Sequence, residues 1–292
     1  MLNMRYITYL LTLLLVSSCG QRSGKQDQQN SSLQASVLPF HQYKVDNLPD
    51  QLDLFKPLIV MRNLALQTLS GSTDLSKNDL AFLTFRRLYS DSIQSIGFSL
   101  FDNRSFQKWI AAIPQDSLKS IFNSAGFTLA WSEGSAFVEI NTRYLLTAFG
   151  PYLSYPMLKF LVLQQNDEEQ KFTKDAALLI SWDELSERIA TWETFITENP
   201  NFLALDEAKD QYTIYLDIYL TGIDNSPLFS FESKTLDNAV KQSYLNFIKQ
   251  HPETRSAQIV KGFLEVLRRN NYMDNRAVQE YLKKTKIGST LG

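Results

Sequence analysis

Two acidic residues, Glu133 and Glu139, lie close enough in the sequence to act together as catalytic groups. A pair of carboxylates can hydrolyse a glycosidic bond when the protein holds them at the right separation. Both side chains also have a simpler interpretation, because Glu133 falls in a predicted turn and Glu139 on the solvent side of a predicted strand. The sequence therefore favours two solvated carboxylates, with a two-carboxylate hydrolase as the alternative.

Histidine chemistry has little support in this chain, which contains only His41 and His251. A zinc site or a Ser-His-Asp triad needs partners clustered around the histidine, and neither residue lies in such a motif. Glycine-rich phosphate loops and the GxSxG, HExxH and CxxC motifs are also absent from the sequence. We therefore predict no cofactor and no metal, and we expect a binding protein rather than an enzyme.

Two further groups of side chains could bind a ligand. Residues 167–169 are all acidic, but they lack the alternating ligands and the glycine of a calcium loop, so a solvated loop is predicted. Tyr212, Tyr215 and Tyr219 share one face of a predicted helix that leads into a turn-rich loop over residues 221–229. Such a tyrosine stripe could bind peptide or sugar. Packing of the stripe into the core is the favoured interpretation.

The only cysteine, Cys19, follows a segment with the features of a secretory signal. Arg5 is the only charge before it, residues 6–16 are apolar apart from two threonines, and Val16-Ser17-Ser18 precede the cysteine. The apolar run is too short to cross a bilayer, which needs about 20 residues. The segment resembles the lipobox of bacterial lipoproteins, with Cys19 as the acylated residue.

This resemblance implies a protein anchored to the membrane of a bacterial envelope. Several acyl chains on Cys19 would anchor the protein stably, whereas a single chain binds reversibly. The family's sorting rule retains proteins with aspartate after the cysteine in the inner membrane. Gly20 stands at that position, so we expect the outer membrane. Residues 20–35 are polar and predict a flexible tether with a reach of about 20–25 Å.

Composition limits the classes of partner. The chain has 292 residues, of which 44% are hydrophobic and 12% aromatic, enough for a packed core. Its 29 basic residues nearly balance its 31 acidic residues, and no long basic block is present. Nucleic acid is therefore not a predicted partner. Acylation of the only cysteine would also leave no thiol for a disulfide.

Helical periodicity dominates from Pro57 to Lys284, so the predicted fold class is mainly α. The predicted helices are one from Pro57 to Gly71, a second capped by Ser76, and others over 106–113, 117–122, 181–199, 205–221, 236–250, 257–269 and 276–284. One alternating stretch, residues 127–140, predicts a single small β-hairpin with Gly134 in its turn.

A match within the C-terminal part links two predicted helices. The segments Trp192–Pro200 and Tyr244–Pro252, 52 residues apart, share one pattern. In each, an aromatic residue is followed by Phe-Ile and then by a proline that ends the helix. The pattern resembles the helix-turn-helix units of tetratricopeptide-type repeats, although that family's period is about 34 residues. Two unrelated amphipathic helices are the alternative. In either case Trp192 and Phe195 are predicted to lie in the core.

The sequence thus predicts four parts: a signal peptide over 1–18, a lipidated tether over 19–36, a helical region over 37–180 with the hairpin near 127–140, and a tetratricopeptide-like helical region over 181–292. The folded body is expected to be a helical bundle or a short tetratricopeptide-like array. The predicted function is binding or scaffolding of a protein or peptide partner at the envelope. The alternatives are an envelope glycan or peptide hydrolase and an accessory factor in carbohydrate capture.

Overall fold

The computed structural model describes residues 50–101, 103–132 and 135–284. The predicted signal peptide and tether, including Cys19, lie outside these residues, as do His41 and Glu133. Eleven α-helices and two small antiparallel β-hairpins make up the described ranges. The predicted mainly α fold class is confirmed.

The chain forms two compact units that divide between Gln165 and Asn166, within a helix. In the first unit, a 3-10 helix over Asp50–Phe55 precedes α1 (Lys56–Ser70), α2 (Leu75–Phe101), α3 (Arg104–Ala112), α4 (Gln115–Ala125), β1 (Phe127–Ser132), β2 (Ser135–Ile140), α5 (Thr142–Phe149), a second 3-10 helix (Gly150–Tyr152) and most of α6 (Tyr155–Glu169). The sequence patterns predicted α1 to α4 and both strands, but not α5 or α6.

Local signals set most helix ends in this unit. Pro57 lies in the first turn of α1, where its missing N–H has no helical partner to lose. Gly126 ends α4 with a φ of 84°, a conformation that favours glycine. The predicted Ser76 cap is wrong: the Asp74 side chain accepts a hydrogen bond of 3.1 Å from the Lys77 N–H. The helix therefore begins at Leu75, directly after its capping carboxylate.

The predicted β-hairpin is confirmed. Strands β1 and β2 pair antiparallel, and β1 packs on α4 while β2 packs on α2. Phe127 and Leu129 on β1 and Val138 on β2 are buried against these helices. Trp131 belongs to the same alternating set, but it lies near the end of the strand and is 41% exposed.

A buried arginine, Arg62, ties α1 to the end of α4. Its guanidinium donates a hydrogen bond of 2.5 Å to the carbonyl oxygen of Ala125 and lies 4.2 Å from the centre of the Tyr144 ring. A Cβ atom at Gly126 would come within 2.1 Å of this guanidinium. Glycine at this position therefore permits both the left-handed turn and the close approach of Arg62.

The second unit begins with the last residues of α6. It continues with β3 (Thr173–Lys174), β4 (Ala177–Leu178), α7 (Trp182–Glu198), α8 (Leu205–Thr221), α9 (Asn238–Gln250), α10 (Arg255–Arg269) and α11 (Arg276–Lys284). Helix α7 packs against α8, α9 and α10, and α10 packs against α11. The core of the unit contains Trp192 and Phe195, which are 1% and 0% exposed, as predicted.

Helices α7 and α9, which carry the matched segments, run in the same direction. Asn246 donates to Asp183 at 3.4 Å, and His251 Nε2 lies 2.9 Å from a Glu187 carboxylate oxygen. These contacts join residues that are 63 and 64 positions apart, whereas the sequence match has a spacing of 52. The matched residues are therefore not the ones that meet, and the tetratricopeptide resemblance stays a prediction.

The start of α7 carries the predicted capping box. The Ser181 hydroxyl accepts a hydrogen bond from the Glu184 N–H at 3.1 Å, and the Ser181 N–H donates to the Glu184 carboxylate at 2.8 Å. This backbone hydrogen bond holds the pKa of Glu184 below its usual range. The contribution of Glu184 to stability is therefore complete at neutral pH and is lost as the pH falls through this lowered pKa.

We expect Ser181→Ala to lower the free energy of unfolding by about 1 kcal/mol, because the first turn of α7 loses a hydrogen-bond acceptor. Urea denaturation followed by circular dichroism measures this change. Ser120→Ala is the matched control, because Ser120 is exposed within α4, where alanine is the better helix former. Equal losses in the two variants would contradict a capping role for Ser181.

Candidate functional site

Only one residue of the candidate carboxylate pair lies in the part of the chain that the structure describes. Glu139 lies on β2 directly opposite Thr128 and is half-buried, whereas Glu133 is outside the described residues. His251 makes a surface contact with Glu187. No group of three His, Cys, Asp or Glu side chains suited to a metal ion occurs within the described ranges.

The tyrosine stripe on α8 is part of the core, which is the interpretation that the sequence favours. Tyr212, Tyr215 and Tyr219 are 0% exposed, and burial raises the pKa of each hydroxyl well above its ordinary value. The Tyr219 hydroxyl lies 2.8 Å from the Ser243 hydroxyl. The Tyr244 hydroxyl donates a hydrogen bond of 2.6 Å to the Tyr219 carbonyl. These contacts join α8 to α9 and leave no tyrosine surface for a ligand.

The acidic run lies in the last turn of α6 and not in a loop, so that part of the prediction is wrong, although Glu168 and Glu169 are exposed to solvent. Asp167 lies in the last turn of α6, 3.1 Å from the Arg188 guanidinium, and accepts a hydrogen bond of 3.0 Å from the Trp192 indole. Burial raises the pKa of Asp167, although these partners favour its charged form. The cluster holds the end of α6 against α7 and has a structural role.

A second buried acid, Glu193, also has a structural role. Its carboxylate accepts hydrogen bonds from the backbone N–H groups of Arg255 at 2.5 Å and Ser256 at 3.0 Å, and from the Ser256 hydroxyl. These N–H groups lie in the first turn of α10, where they have no helical acceptor. Glu193 therefore fixes the start of α10 against α7 and is not open to a ligand.

The second unit has a groove of about 450 Å³. Its walls come from the C-terminal end of α8, the loop that follows α8, and α11 together with Asp274 shortly before it. The lining residues are Asp217, Thr221, Pro227, Leu228, Phe229, Ser230, Phe231, Lys234, Asp274, Gln279, Leu282 and Lys283. We name this feature the α8–α11 groove.

Backbone hydrogen bonds hold the loop that forms one wall of the groove. The Ser230 N–H donates to the Thr235 carbonyl at 2.9 Å, and the Asp237 N–H donates to the Leu228 carbonyl at 2.8 Å. The bonds close a tight turn around Phe231. This aromatic side chain is 72% exposed, more than any other large hydrophobic side chain in the described ranges.

The same loop is joined to the segment before α11 and contains a strained residue. The Asp274 N–H donates to the Lys234 carbonyl at 2.7 Å. Lys234 has a φ of 56°, in the left-handed region that costs a non-glycine residue about 1–2 kcal/mol. Such strain persists where the surroundings determine the backbone, and it is frequent at binding sites. Backbone hydrogen bonds thus hold the main chain on both sides of Phe231 and Lys234.

The sequence contained a partial signal for this groove. This signal is the presence of Ile223, Leu228 and Phe229 in the turn-rich loop over 221–229. Phe231 and Asp217 were missed, because nothing in the local pattern shows that α11 forms the opposite wall.

The comparisons with known proteins add no relative. No protein-family model matches the chain, and neither a curated protein nor a solved structure matches it. In the part of the chain that the structure describes, no helix is both long enough and apolar enough to cross a membrane.

Proposed function

We propose that the protein is a lipid-anchored envelope protein whose helical body binds a protein or peptide partner in the α8–α11 groove. The observation that carries this proposal is Phe231, an aromatic side chain held in solvent at the edge of a groove. Exposed aromatic side chains of this kind commonly anchor protein partners, because they bury a large apolar area on binding.

The loop geometry supports binding by a preformed surface. The hydrogen bonds around Ser230 and Asp237 fix the backbone on both sides of Phe231 before any partner arrives. Less conformational entropy is then lost on binding, so more of the contact energy appears as affinity. The groove also has both apolar and charged lining residues, a combination that suits a peptide segment.

The anchoring part of the proposal rests on the sequence around Cys19. Acylation there would place the body within the reach of a short polar tether from the membrane, and Gly20 favours the outer membrane. A tethered binding protein samples partners at a high local concentration, because the membrane confines both molecules.

Site-specific crosslinking in the bacterium tests the proposal. A photoreactive phenylalanine analogue replaces Phe231 in the full-length protein, and irradiation is expected to give a discrete adduct with a protein or peptide of the envelope. The captured molecule, once purified, is expected to bind Phe231→Ala at least about tenfold more weakly than wild type, a typical effect for an aromatic anchor. Isothermal titration calorimetry measures this difference.

The matched control carries the analogue at Leu203, which is 56% exposed in the same unit but does not line the groove. Equal adducts at positions 203 and 231, or no adduct at 231, would contradict groove binding. An adduct at 231 that contains glycan rather than protein would replace this proposal with carbohydrate capture.

A further inference from the structure

The buried arginine of the first unit carries a charge that its described neighbours do not neutralise. Arg62 on α1 is 1% exposed, and it makes no ion pair with any residue in the described ranges. A buried charge without a counter-charge is costly, because the interior does not solvate it as water does. An unsatisfied charged group of this kind indicates a bound ion or water molecule.

The groups around Arg62 offset only part of its charge. Nη1 donates a hydrogen bond to the Ala125 carbonyl at the C-terminal end of α4, where a helix carries about half of a negative elementary charge. The Tyr144 ring, 4.2 Å from the guanidinium, attracts it but has no net charge. Nη1 also lies 3.4 Å from the Tyr89 hydroxyl. Burial raises the pKa of Tyr89 to about 12, so this hydroxyl stays neutral.

The two unpartnered nitrogens of Arg62 are those that suit an oxyanion. Nε and Nη2 are both buried, and neither has a hydrogen-bond partner among the described residues. They lie on one edge of the planar guanidinium, with their N–H groups side by side. Such an edge binds the two oxygens of a carboxylate through two parallel hydrogen bonds. The contacts of Nη1 therefore leave one complete binding edge unused.

Burial and charge together define the class of ligand. A ligand on this edge would be enclosed with Arg62, so it has to be small. A water molecule can accept hydrogen bonds from the edge, but it leaves the charge of the guanidinium unbalanced. A small planar oxyanion supplies both the negative charge and two acceptor oxygens at the spacing of the two N–H groups.

The site lies close to the surface of the first unit. Tyr144, whose ring packs on the guanidinium, is only half-buried, whereas Arg62, Tyr89 and Ala125 are fully buried. Arg62 therefore lies directly beneath a partly exposed side chain, which gives a small ion a short route to it.

We propose that Arg62 binds a small planar oxyanion through Nε and Nη2 in the core of the first unit, with formate as the model ligand. The anion would complete the neutralisation of a charge that joins α1 to the end of α4. The inference concerns a site in the first unit and does not depend on peptide binding in the α8–α11 groove.

Thermal denaturation of the full-length protein in detergent tests the site. The ligand is sodium formate, and sodium isethionate, whose anion is bulkier, is the reference at each concentration. An anion that binds only the folded state raises the melting temperature. Formate is expected to raise it by about 3–5 °C over isethionate when its concentration reaches about ten times the dissociation constant.

Arg62→Lys is the critical variant, because lysine keeps the positive charge but has no edge with two parallel N–H groups. It should melt at the same temperature in the two salts. Arg188→Lys is the matched control, since Arg188 already pairs with Asp167 at 3.1 Å. The control should keep the full response to formate.

Nuclear magnetic resonance of the wild-type protein provides a direct measurement that does not require the lysine variant to fold. The Nε–H resonance of Arg62, assigned through its covalent connection to the main chain, should shift with formate concentration and then saturate. An unchanged resonance would overturn the inference and indicate a buried water molecule at this edge. An equal rise in melting temperature in Arg62→Lys would also overturn it, because the stabilisation would then arise elsewhere.

Discussion

Replacing Trp192 by alanine is expected to lower the free energy of unfolding by about 3–5 kcal/mol, the range for truncating a large buried aromatic side chain. Trp192 is 1% exposed and packs edge-on against Phe195, with ring centres 6.1 Å apart. Its indole N–H also donates to Asp167, so the variant loses both packing and a hydrogen bond. Urea denaturation of the purified protein, followed by circular dichroism, measures the change.

Two further substitutions separate the contributions to this effect. Trp192→Phe keeps most of the apolar volume but removes the donor to Asp167, and we expect a smaller loss of about 1–2 kcal/mol. Trp131→Ala is the control, because Trp131 is 41% exposed, and its loss should be about 0.5 kcal/mol. If Trp192→Ala were as stable as wild type, Trp192 would not be part of the core.

Replacing Cys19 by alanine is expected to abolish acylation and to remove the processed protein from the detergent phase in a phase-partition experiment. The physical reason is that acyl chains supply membrane affinity at about 0.8 kcal/mol for each buried methylene group. The variant should therefore be recovered as unprocessed precursor or as soluble protein. Metabolic labelling with a radioactive fatty acid provides the second measurement.

Ser17→Ala is the matched control for this experiment, because it keeps a small side chain before the cleavage point and leaves Cys19 in place. The control should be labelled and should partition into detergent like wild type. Absence of label in the wild-type protein, together with equal partitioning of the Cys19→Ala variant, would disprove the lipoprotein interpretation and leave the groove proposal intact.

Asp167 shows where reasoning from the sequence failed, and why. The acidic run suggested a solvated loop, because acidic residues at the C-terminal end of a helix would oppose the helix dipole. Its partners, Arg188 and Trp192, come from α7, after a second small hairpin. Helix α6 itself was not predicted, because its apolar residues do not fall on one face and so give no clear helical period.

The groove illustrates the same limit for the candidate site. Asp217, Phe231 and Leu282 come from α8, the following loop and α11, and they share one groove only because α10 and the loop bring α11 back towards α8. The sequence indicated the apolar residues of the loop, since a turn-rich segment has little other reason to carry them.

Features that depend on a few consecutive residues could be predicted from the sequence. These are the capping box at Ser181, the helix ends at Gly126 and Gly222, the alternation that forms the first hairpin, and the helix face that buries Trp192. Caps, turns and periodic faces arise from backbone geometry within one or two turns, so the local sequence is sufficient. The tertiary structure was needed to show which buried charges are paired and which separate segments form the walls of the groove. Those outcomes depend on desolvation and on contacts between residues distant in the chain, and no local pattern contains them.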